Sequence, residues 1–172
     1  MAWYVIHVRT GSEDAVCAAI RKQAIQACYG APFELFVPKR KLWEKKQGVA
    51  IEVIRKMFPG YVLIQTEDIG ELVKLAKKSK SVFRCLESEG EFQEVNPAEI
   101  YTVLQLANAE GEIGLSEAVI EHGQIMVLNG PLKGQEGLIK KVDRHKRRAK
   151  VLFWFSGREY VVELGLFMHS GV

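Results

Sequence analysis

The residues from 123 to 172 show a strand pattern without helical periodicity, and this pattern constrains the fold most strongly. Short apolar runs rich in β-branched and aromatic residues alternate with the polar turns NGPLKG, DRHKRR and SGR. Such runs, bounded by Gly, Pro, Asn and Asp, are typical of strands. The predicted strands span 124–128, 135–142, 149–155, 159–164 and 166–169. Five short strands in about fifty residues indicate a small all-β barrel, which closes its own edges.

The residues before 123 mix helices with strands. Ser12 precedes two acids and Asn96 precedes a proline, and both patterns are typical of a helix start. The predicted helices lie at 12–29, 66–79 and 96–107. The predicted strands lie at 3–8, 33–37, 62–64 and 81–86, with a long basic hairpin over 38–56. This order suits an antiparallel or mixed sheet covered by helices, which is an α+β domain.

The distribution of charge separates the same two parts. Residues 123–172 hold nine lysines and arginines against four acids, whereas the preceding residues hold fifteen against seventeen. The stretch between these parts contains glycines and acids with little periodicity. We therefore predict an α+β domain over 1–107, a linker over 108–122 and a basic barrel over 123–172. A neutral chain with a basic module favours a nucleic-acid contact made by that module.

Five of the basic residues crowd the segment VDRHKRRAKV at one predicted turn. Clustered lysines and arginines neutralise phosphates, and arginine also reaches guanine edges or stacks on bases. A solvated hairpin tip that only protects strand ends is the alternative interpretation of such a charge run. The concentration of charge in this half of the chain favours the nucleic-acid interpretation.

Other classes of protein are not supported by the sequence. No apolar run approaches the roughly 20 residues that cross a bilayer, and the start MAWYVIHV lacks the features of a signal peptide. We therefore expect a cytoplasmic monomer without a membrane partner. Three cysteines and four histidines show no metal-ligand spacing, and no phosphate-binding glycine loop or activated nucleophile is present. We expect no cofactor, no metal and no enzymatic activity.

Two further segments leave alternatives open. The basic hairpin over 38–56 either contacts nucleic acid or uses its lysines to protect an exposed strand edge, and we favour the second interpretation. In FPGYV, the Pro and Gly force a bend between the rings of Phe58 and Tyr61. These rings belong either to the core or to an exposed binding surface.

The segments WYVIHVRTGSE, VPKRKLWEKK, KMFPGYVLIQT and GPLKGQEGLIKKVD resemble the NusG family of transcription elongation factors along nearly the full chain. The first part resembles the NusG N-terminal (NGN) domain and the second a KOW domain, an SH3-like barrel. The resemblance implies that the first domain binds the clamp of RNA polymerase through an apolar concavity. The residues that match this surface are Trp3, Tyr4, Phe58, Pro59 and Tyr61.

Two departures from the general family pattern point to RNA. General family members carry a Phe before the Gly-Arg pair near the C-terminus, in the loop that binds Rho or a ribosomal protein, and here Ser156 precedes Gly157. The other inter-strand turn is unusually basic. Both features are similar to the LoaP branch, whose members are antiterminators with a KOW domain that recognises an RNA hairpin.

This resemblance implies an antitermination factor that binds RNA polymerase and a structured nascent RNA. A general elongation and termination factor that binds Rho or a ribosomal protein is one alternative, and a ribosome-associated RNA-binding protein is another. The predicted RNA-binding residues are Arg144, His145, Lys146, Arg147, Arg148 and Lys150, with Lys133, Lys140, Lys141 and Arg158 as supporting charge.

Overall fold

The computed structural model describes residues 1–85 and 92–171 and contains two compact units. The first unit comprises Met1–Val37 and Phe58–Ile100, and the second comprises Pro38–Met57 and Tyr101–Val172. Contacts therefore group the hairpin after residue 37 with the C-terminal strands. The domain limits drawn from the sequence, 1–107, 108–122 and 123–172, stay a prediction. Among the described residues, no helix is long and apolar enough to cross a membrane.

The first unit is an antiparallel sheet with helices packed against it, which confirms the predicted mixture of helices and strands. The strands are β1 (Ala2–His7), β2 (Phe33–Phe36), β5 (Tyr61–Thr66) and β6 (Phe92–Val95). They form a sheet in the order β2-β5-β1-β6. The helices are α1 (Glu13–Gln26), α2 (Ile69–Lys77), α3 (Lys80–Cys85) and the start of α4 (Pro97–Leu106).

The core of this unit lies between one face of the sheet and the helices α1 and α2. Ile6 and Val8 on the sheet side pack with Val16, Ile20 and other apolar residues of the helices. Strand alternation sends every second side chain of β1 to this face, so the apolar positions of strand and helix meet. The α2 helix begins where the Asp68 carboxylate accepts a hydrogen bond from the Glu71 backbone N–H at 2.9 Å.

One predicted strand of the first unit is wrong. Residues 81–86 were expected to form a strand, but Lys80–Cys85 form the helix α3. The Phe83 backbone N–H donates to the Ser79 carbonyl at 2.9 Å, as in a helical turn, and Val82 is buried in the helix-side core. A short apolar run has no clear period, and packing decides its structure. The polar stretch around Gly90, which the sequence indicates to be a turn, lies outside the described residues.

The second unit contains a five-stranded sheet and a smaller three-stranded sheet. The chain contributes β3 (Lys39–Lys46), β4 (Val49–Lys56), β7 (Glu112–Ile113), β8 (Ser116–Glu121) and β9 (Gln124–Asn129). It continues with a 3-10 turn (Glu136–Leu138), β10 (Ile139–Asp143), β11 (Arg148–Phe155) and β12 (Arg158–Met168). The five-stranded sheet has the order β10-β11-β12-β8-β9, and the smaller one has the order β4-β3-β7. The predicted small all-β barrel is confirmed.

The membership of the five barrel strands differs from the prediction. The strand β8 lies in the segment that was predicted as a linker, and it pairs with β9 and β12. The predicted strands 159–164 and 166–169 form one continuous strand, β12. Position 165, inside β12, is a glycine because the Lys41 carbonyl oxygen approaches the backbone there so closely that an added Cβ would lie 2.9 Å from it. This glycine marks the crossing of two backbones and does not end a strand.

The hairpin of β3 and β4, with its turn, is called the arm below and covers residues 39–56. Its strands pair in register from Lys39 and Lys56 to Lys46 and Val49. The two turn residues, Gln47 and Gly48, both have positive φ, as the favoured two-residue hairpin turn requires. The hairpin predicted over 38–56 agrees with this geometry.

Candidate nucleic-acid interface

Residues 144–147 form the basic turn, which connects β10 to β11. Asp143 and Arg148, which pair with each other across the two strands, flank this turn. An Asp143 side-chain oxygen accepts a hydrogen bond from the Lys146 backbone N–H at 2.9 Å, and the Arg147 N–H donates to the Arg144 carbonyl at 3.3 Å. The bond from Lys146 holds the pKa of the Asp143 carboxyl below its usual value. The turn is thus fixed through its backbone, while Arg144, His145 and Lys146 are exposed.

Arg147 occupies a different environment from its exposed neighbours. Its guanidinium carbon lies 5.3 Å from the centroid of the Trp43 ring and 5.0 Å from that of Phe167. Both distances are within the range of cation–π attraction. Arg147 also has a φ of 55°, in the left-handed region that non-glycine residues rarely adopt. The basic turn is therefore held against one ring from the arm and one from β12.

Arg148 is buried beneath the arm. It is only 8% exposed, and its Nη2 group donates a hydrogen bond to the Trp43 carbonyl at 2.7 Å. Within the part of the chain that the structure describes, its Nε and Nη1 atoms are buried without a hydrogen-bond partner. Burying an N–H group of a charged side chain without an acceptor costs free energy. The sequence placed Arg148 with the exposed basic residues, and its contact with RNA stays a prediction.

A second arginine adds to this buried charge. Burial lowers the pKa of Arg40 on β3, and the nearby Arg148 guanidinium lowers it further, while Glu163 acts in the opposite direction. The Nε atom of Arg40 is likewise buried without a partner among the described residues. Two like charges therefore lie close together where the arm meets the barrel strands. An anionic group at this place would relieve their repulsion.

The supporting charges are spread over the second unit. Lys133 is exposed in the turn after β9, and Lys140 and Lys141 are exposed on β10, at an edge of the sheet. Lys150 is half-buried and pairs across the sheet with Lys141 and with Glu163. Arg158 pairs with Phe155 at the opposite end of β11 from the basic turn. At a rise of roughly 3.3 Å per residue, this places Arg158 about 23 Å along the strand from Arg148.

A cavity of about 720 Å³ opens beside the basic turn, inside the second unit. The arm supplies one wall and the basic turn with β12 supplies the other. The lining residues are Trp43, Glu44, Lys45, Ala50, Arg144, His145, Lys146, Arg147, Arg148 and Phe167. Sequence reasoning gave no site role to Trp43, Phe167 or Arg40. More than one hundred positions separate Trp43 from Arg148, and no periodic pattern indicates a contact over that distance.

The five residues predicted to bind polymerase differ in exposure. Phe58 is buried at 2% exposure and Trp3 is also buried, whereas Tyr4 and Tyr61 are half-buried and Pro59 is exposed. Trp3 pairs with Gln65, and Tyr61 pairs with His7, across the neighbouring strands β1 and β5. Because side chains alternate between the two faces along a strand, Trp3 and Tyr61 lie on the same face of the sheet. Tyr4 lies on the other face, with the helix-side core. The structure therefore places Trp3 and Tyr61 on one face of the sheet, four positions apart along the strands, and Tyr4 on the opposite face.

The FPGY bend is held by buried hydrogen bonds. The Tyr61 N–H donates to the Phe58 carbonyl at 3.2 Å, which closes a turn with Pro59 and Gly60 at its centre. The Gly60 N–H donates to the Glu13 carboxylate at 2.7 Å, and the Val8 N–H donates to the Gly60 carbonyl at 2.8 Å. This network fixes Pro59 at the surface and Phe58 in the interior.

These observations define a protein that joins an α/β domain to a small, basic, all-β domain of the KOW type, since a KOW motif matches residues 124–153. The family model for transcription termination factor nusG matches residues 1–104. The chain belongs to the NusG family.

Relatives and a solved structure agree with this assignment. The transcription termination/antitermination protein NusG of Rickettsia typhi is 26% identical over 164 residues, which cover 94% of this chain and 85% of that protein. The protein of the same name from Thermus thermophilus is 26% identical over an alignment of 174 positions, which covers 94% of each chain. A structure of Thermotoga maritima NusG has a TM-score of 0.54 and 20% identity, and covers 95% of this chain and 93% of that chain. At this identity the structural likeness shows the fold alone.

Proposed function

We propose that this protein is a transcription antitermination and elongation factor that binds RNA polymerase through its NGN domain and a hairpin of the nascent RNA through its KOW domain. The family membership and the relatives named as termination/antitermination proteins support the role in transcription. The specialised role, similar to that of the LoaP branch, is supported by features of the second unit that concentrate positive charge.

The observation that carries the proposal is the basic turn itself. Three consecutive exposed side chains, Arg144, His145 and Lys146, project from a backbone that is fixed by the Asp143 carboxylate. A fixed turn presents its charges to phosphates without a large ordering cost. Phosphate contacts of this kind supply much of the affinity for nucleic acid. Because the polymerase and its transcript are one complex, two linked contacts also raise the effective concentration, so a modest RNA affinity is sufficient.

The polymerase contact is proposed to use the bend of the first unit. Pro59 is exposed and Tyr61 is half-buried, so these two residues are the accessible part of the bend. Trp3 and Phe58 are buried and support the surface from within. A Pro59→Ala or Tyr61→Ala variant should therefore weaken polymerase binding with less damage to the fold than Phe58→Ala.

Selection of RNA by the full chain tests the proposed function. A library of hairpins with random loops is selected at physiological salt, and the best hairpin is compared with a scrambled version of equal length and charge. We expect at least a tenfold preference for the selected hairpin, because a specific site discriminates beyond charge alone. Equal affinity for both RNAs would show that the basic turn gives only non-specific attraction.

A specific observation favours the alternative of a general factor that binds a protein at the KOW domain. Trp154 is 55% exposed on β11, close to the two-residue turn of Ser156 and Gly157. Large exposed aromatic residues often anchor protein interfaces. If this alternative holds, Trp154→Ala will weaken binding to Rho or to a small-subunit ribosomal protein and leave hairpin binding unchanged.

A further inference from the structure

The cavity beside the basic turn has the size of a ligand site. Its volume of about 720 Å³ lies within the range of roughly 300–1,000 Å³ that is common for ligand pockets. A double-stranded RNA helix is far too wide to enter it. A single nucleotide is small enough, provided that it is unpaired.

The lining of the cavity combines planar and cationic groups. Trp43 and Phe167 provide aromatic rings, and the guanidinium of Arg147 lies over both. Bases that leave a helix commonly stack on aromatic rings or on guanidinium planes. The arrangement therefore offers surfaces on which one further planar group is able to stack.

The electrostatics of the cavity favour an anion. Its lining includes Lys45 and four cationic side chains of the segment 144–148. The acidic lining residue, Glu44, is paired with Arg55, whose Nε and Nη2 groups lie 3.2 and 2.8 Å from the two carboxylate oxygens. This bidentate pair neutralises the carboxylate that would otherwise repel a phosphate.

The buried guanidinium of Arg148 is an independent indication that the cavity binds a ligand. Arg148 lines the cavity, yet its Nε and Nη1 groups have no acceptor among the described residues. Buried polar groups of this kind are rare in folded proteins and call for an explanation. A phosphate oxygen that enters the cavity supplies an acceptor once the guanidinium turns toward it.

We propose that this cavity receives one unpaired nucleotide of the RNA hairpin, with its base stacked against Trp43 and Arg147 and its phosphate beside Arg148. The arm thereby contributes a wall to the RNA site. The RNA-binding residues predicted from the sequence all lie in the C-terminal strands, and for the arm the sequence favoured protection of a strand edge over a nucleic-acid contact. This inference rests on the proposed function, because it requires a hairpin that the chain binds specifically. It adds a residue that determines specificity, Trp43, to a site whose predicted contacts are basic.

An abasic scan of the selected hairpin tests the inference. Each loop nucleotide is replaced in turn by an abasic site, and affinity is measured for the wild type and for Trp43→Ala, Trp43→Phe and Trp154→Ala. Trp154 is a matched control, since it is an exposed tryptophan of the same unit and does not line the cavity. Circular dichroism establishes that each variant is folded.

We expect one loop position whose abasic form binds the wild type roughly 5- to 150-fold more weakly, the range of base–aromatic stacking. The same loss should appear in Trp154→Ala and largely in Trp43→Phe, and it should vanish in Trp43→Ala. Equal abasic losses in the wild type and in folded Trp43→Ala would overturn the inference while leaving hairpin binding intact. Failure to select any preferred hairpin would overturn the proposed function and the inference together.

A second measurement uses only the wild-type chain and covers the case in which Trp43→Ala unfolds. The adenine analogue 2-aminopurine is placed at each loop position, and its fluorescence should fall on binding at the position that stacks in the cavity. Absence of quenching at every position would refute the stacked base. Competition by the four nucleoside 5′-monophosphates separates an RNA nucleotide from a free one, and efficient displacement of the hairpin by a monophosphate would refute the assignment to RNA.

Discussion

Removal of the two exposed cationic side chains at the basic turn should change how RNA binding depends on salt. We choose Arg144→Gln with Lys146→Gln because both side chains are exposed, while the backbone bond that fixes the turn uses the Lys146 N–H and survives the change. The double variant should therefore keep its fold and lose up to two phosphate contacts. An effect on affinity is then attributable to charge.

The expected magnitude follows from the release of counterions. Each neutralised phosphate contributes about 0.9 to the slope of log K against log salt concentration for a duplex and about 0.7 for a single strand. Two contacts should lower the slope by roughly 1.4 to 1.8. Between about 50 and 200 mM salt, the advantage of the wild type over the variant should shrink about sevenfold to twelvefold.

Titration of the selected hairpin at several salt concentrations measures this slope. The matched control is Arg21→Gln with Lys22→Gln, which removes the same charge from exposed positions on α1 in the first unit. The control should keep the slope of the wild type. If the variant at the basic turn keeps that slope as well, or if both double variants lower it equally, these side chains do not contact phosphates in particular.

Three further predictions concern the surroundings of the basic turn. Arg148→Met removes a poorly compensated buried charge together with one hydrogen bond to Trp43, so the free energy of unfolding measured with urea should change by no more than about 1–2 kcal/mol, and a loss of about 3–5 kcal/mol would contradict this. Gly165→Ala should destabilise the chain by roughly 1–3 kcal/mol because the new Cβ would lie 2.9 Å from the Lys41 carbonyl oxygen and closer still to the Leu115 side chain. Gly137→Ala should not, since a Cβ there has no neighbour within 4 Å among the described residues. The pKa of Asp143 is lower in the folded chain than its ordinary value of 3.8. The ionised Asp143 carboxylate therefore stabilises the fold at pH values above 3.8, and this stabilisation is lost as the pH falls through the folded pKa. Acid should accordingly destabilise the wild type more than Asp143→Asn in denaturation measurements.

The parts of the fold that were predictable are those in which one side of a strand or helix faces a core. In β11, Val151, Phe153 and Phe155 are buried, while the intervening residues are exposed or half-buried. Such alternation fixes both the strand and its orientation. The helix α2 was predictable for a similar reason, since its apolar residues repeat at helical spacing and an acid precedes it.

The prediction failed where packing outweighs local pattern. The residues of α3 form a short apolar run that suits a strand or a helix equally, and α3 is helical next to the core of the first unit. The strand β8 pairs with β12 in parallel between residues far apart in sequence, and its own sequence shows little periodicity. Long-range pairing of this kind leaves no local signal.

The environments of the basic residues in the candidate site were not predictable either, because they too depend on long-range packing. Sequence counts treat the three arginines in and beside the basic turn as equivalent, yet Arg144 is exposed, Arg147 lies against two rings and Arg148 is buried. This difference in burial depends on the arm. Trp43 supplies a ring that contacts Arg147 and a carbonyl oxygen that accepts a hydrogen bond from Arg148. No reading of residues 142–151 alone indicates it.

The number of basic residues at the basic turn therefore overstates the positive charge that is exposed to an approaching polyanion. Exposed groups such as Arg144 and Lys146 attract phosphates over a distance set by salt, and this attraction is the same for all RNA sequences. Discrimination requires groups that are costly to leave unpaired, and the buried N–H groups of Arg148 are of that kind. On the proposed function, an RNA that fills the cavity would satisfy them, whereas one that touches only the exposed turn would not. On the proposed function, the exposed arginine supplies affinity and the buried one supplies selectivity, so the two classes of variant should separate in their effects on matched and scrambled hairpins.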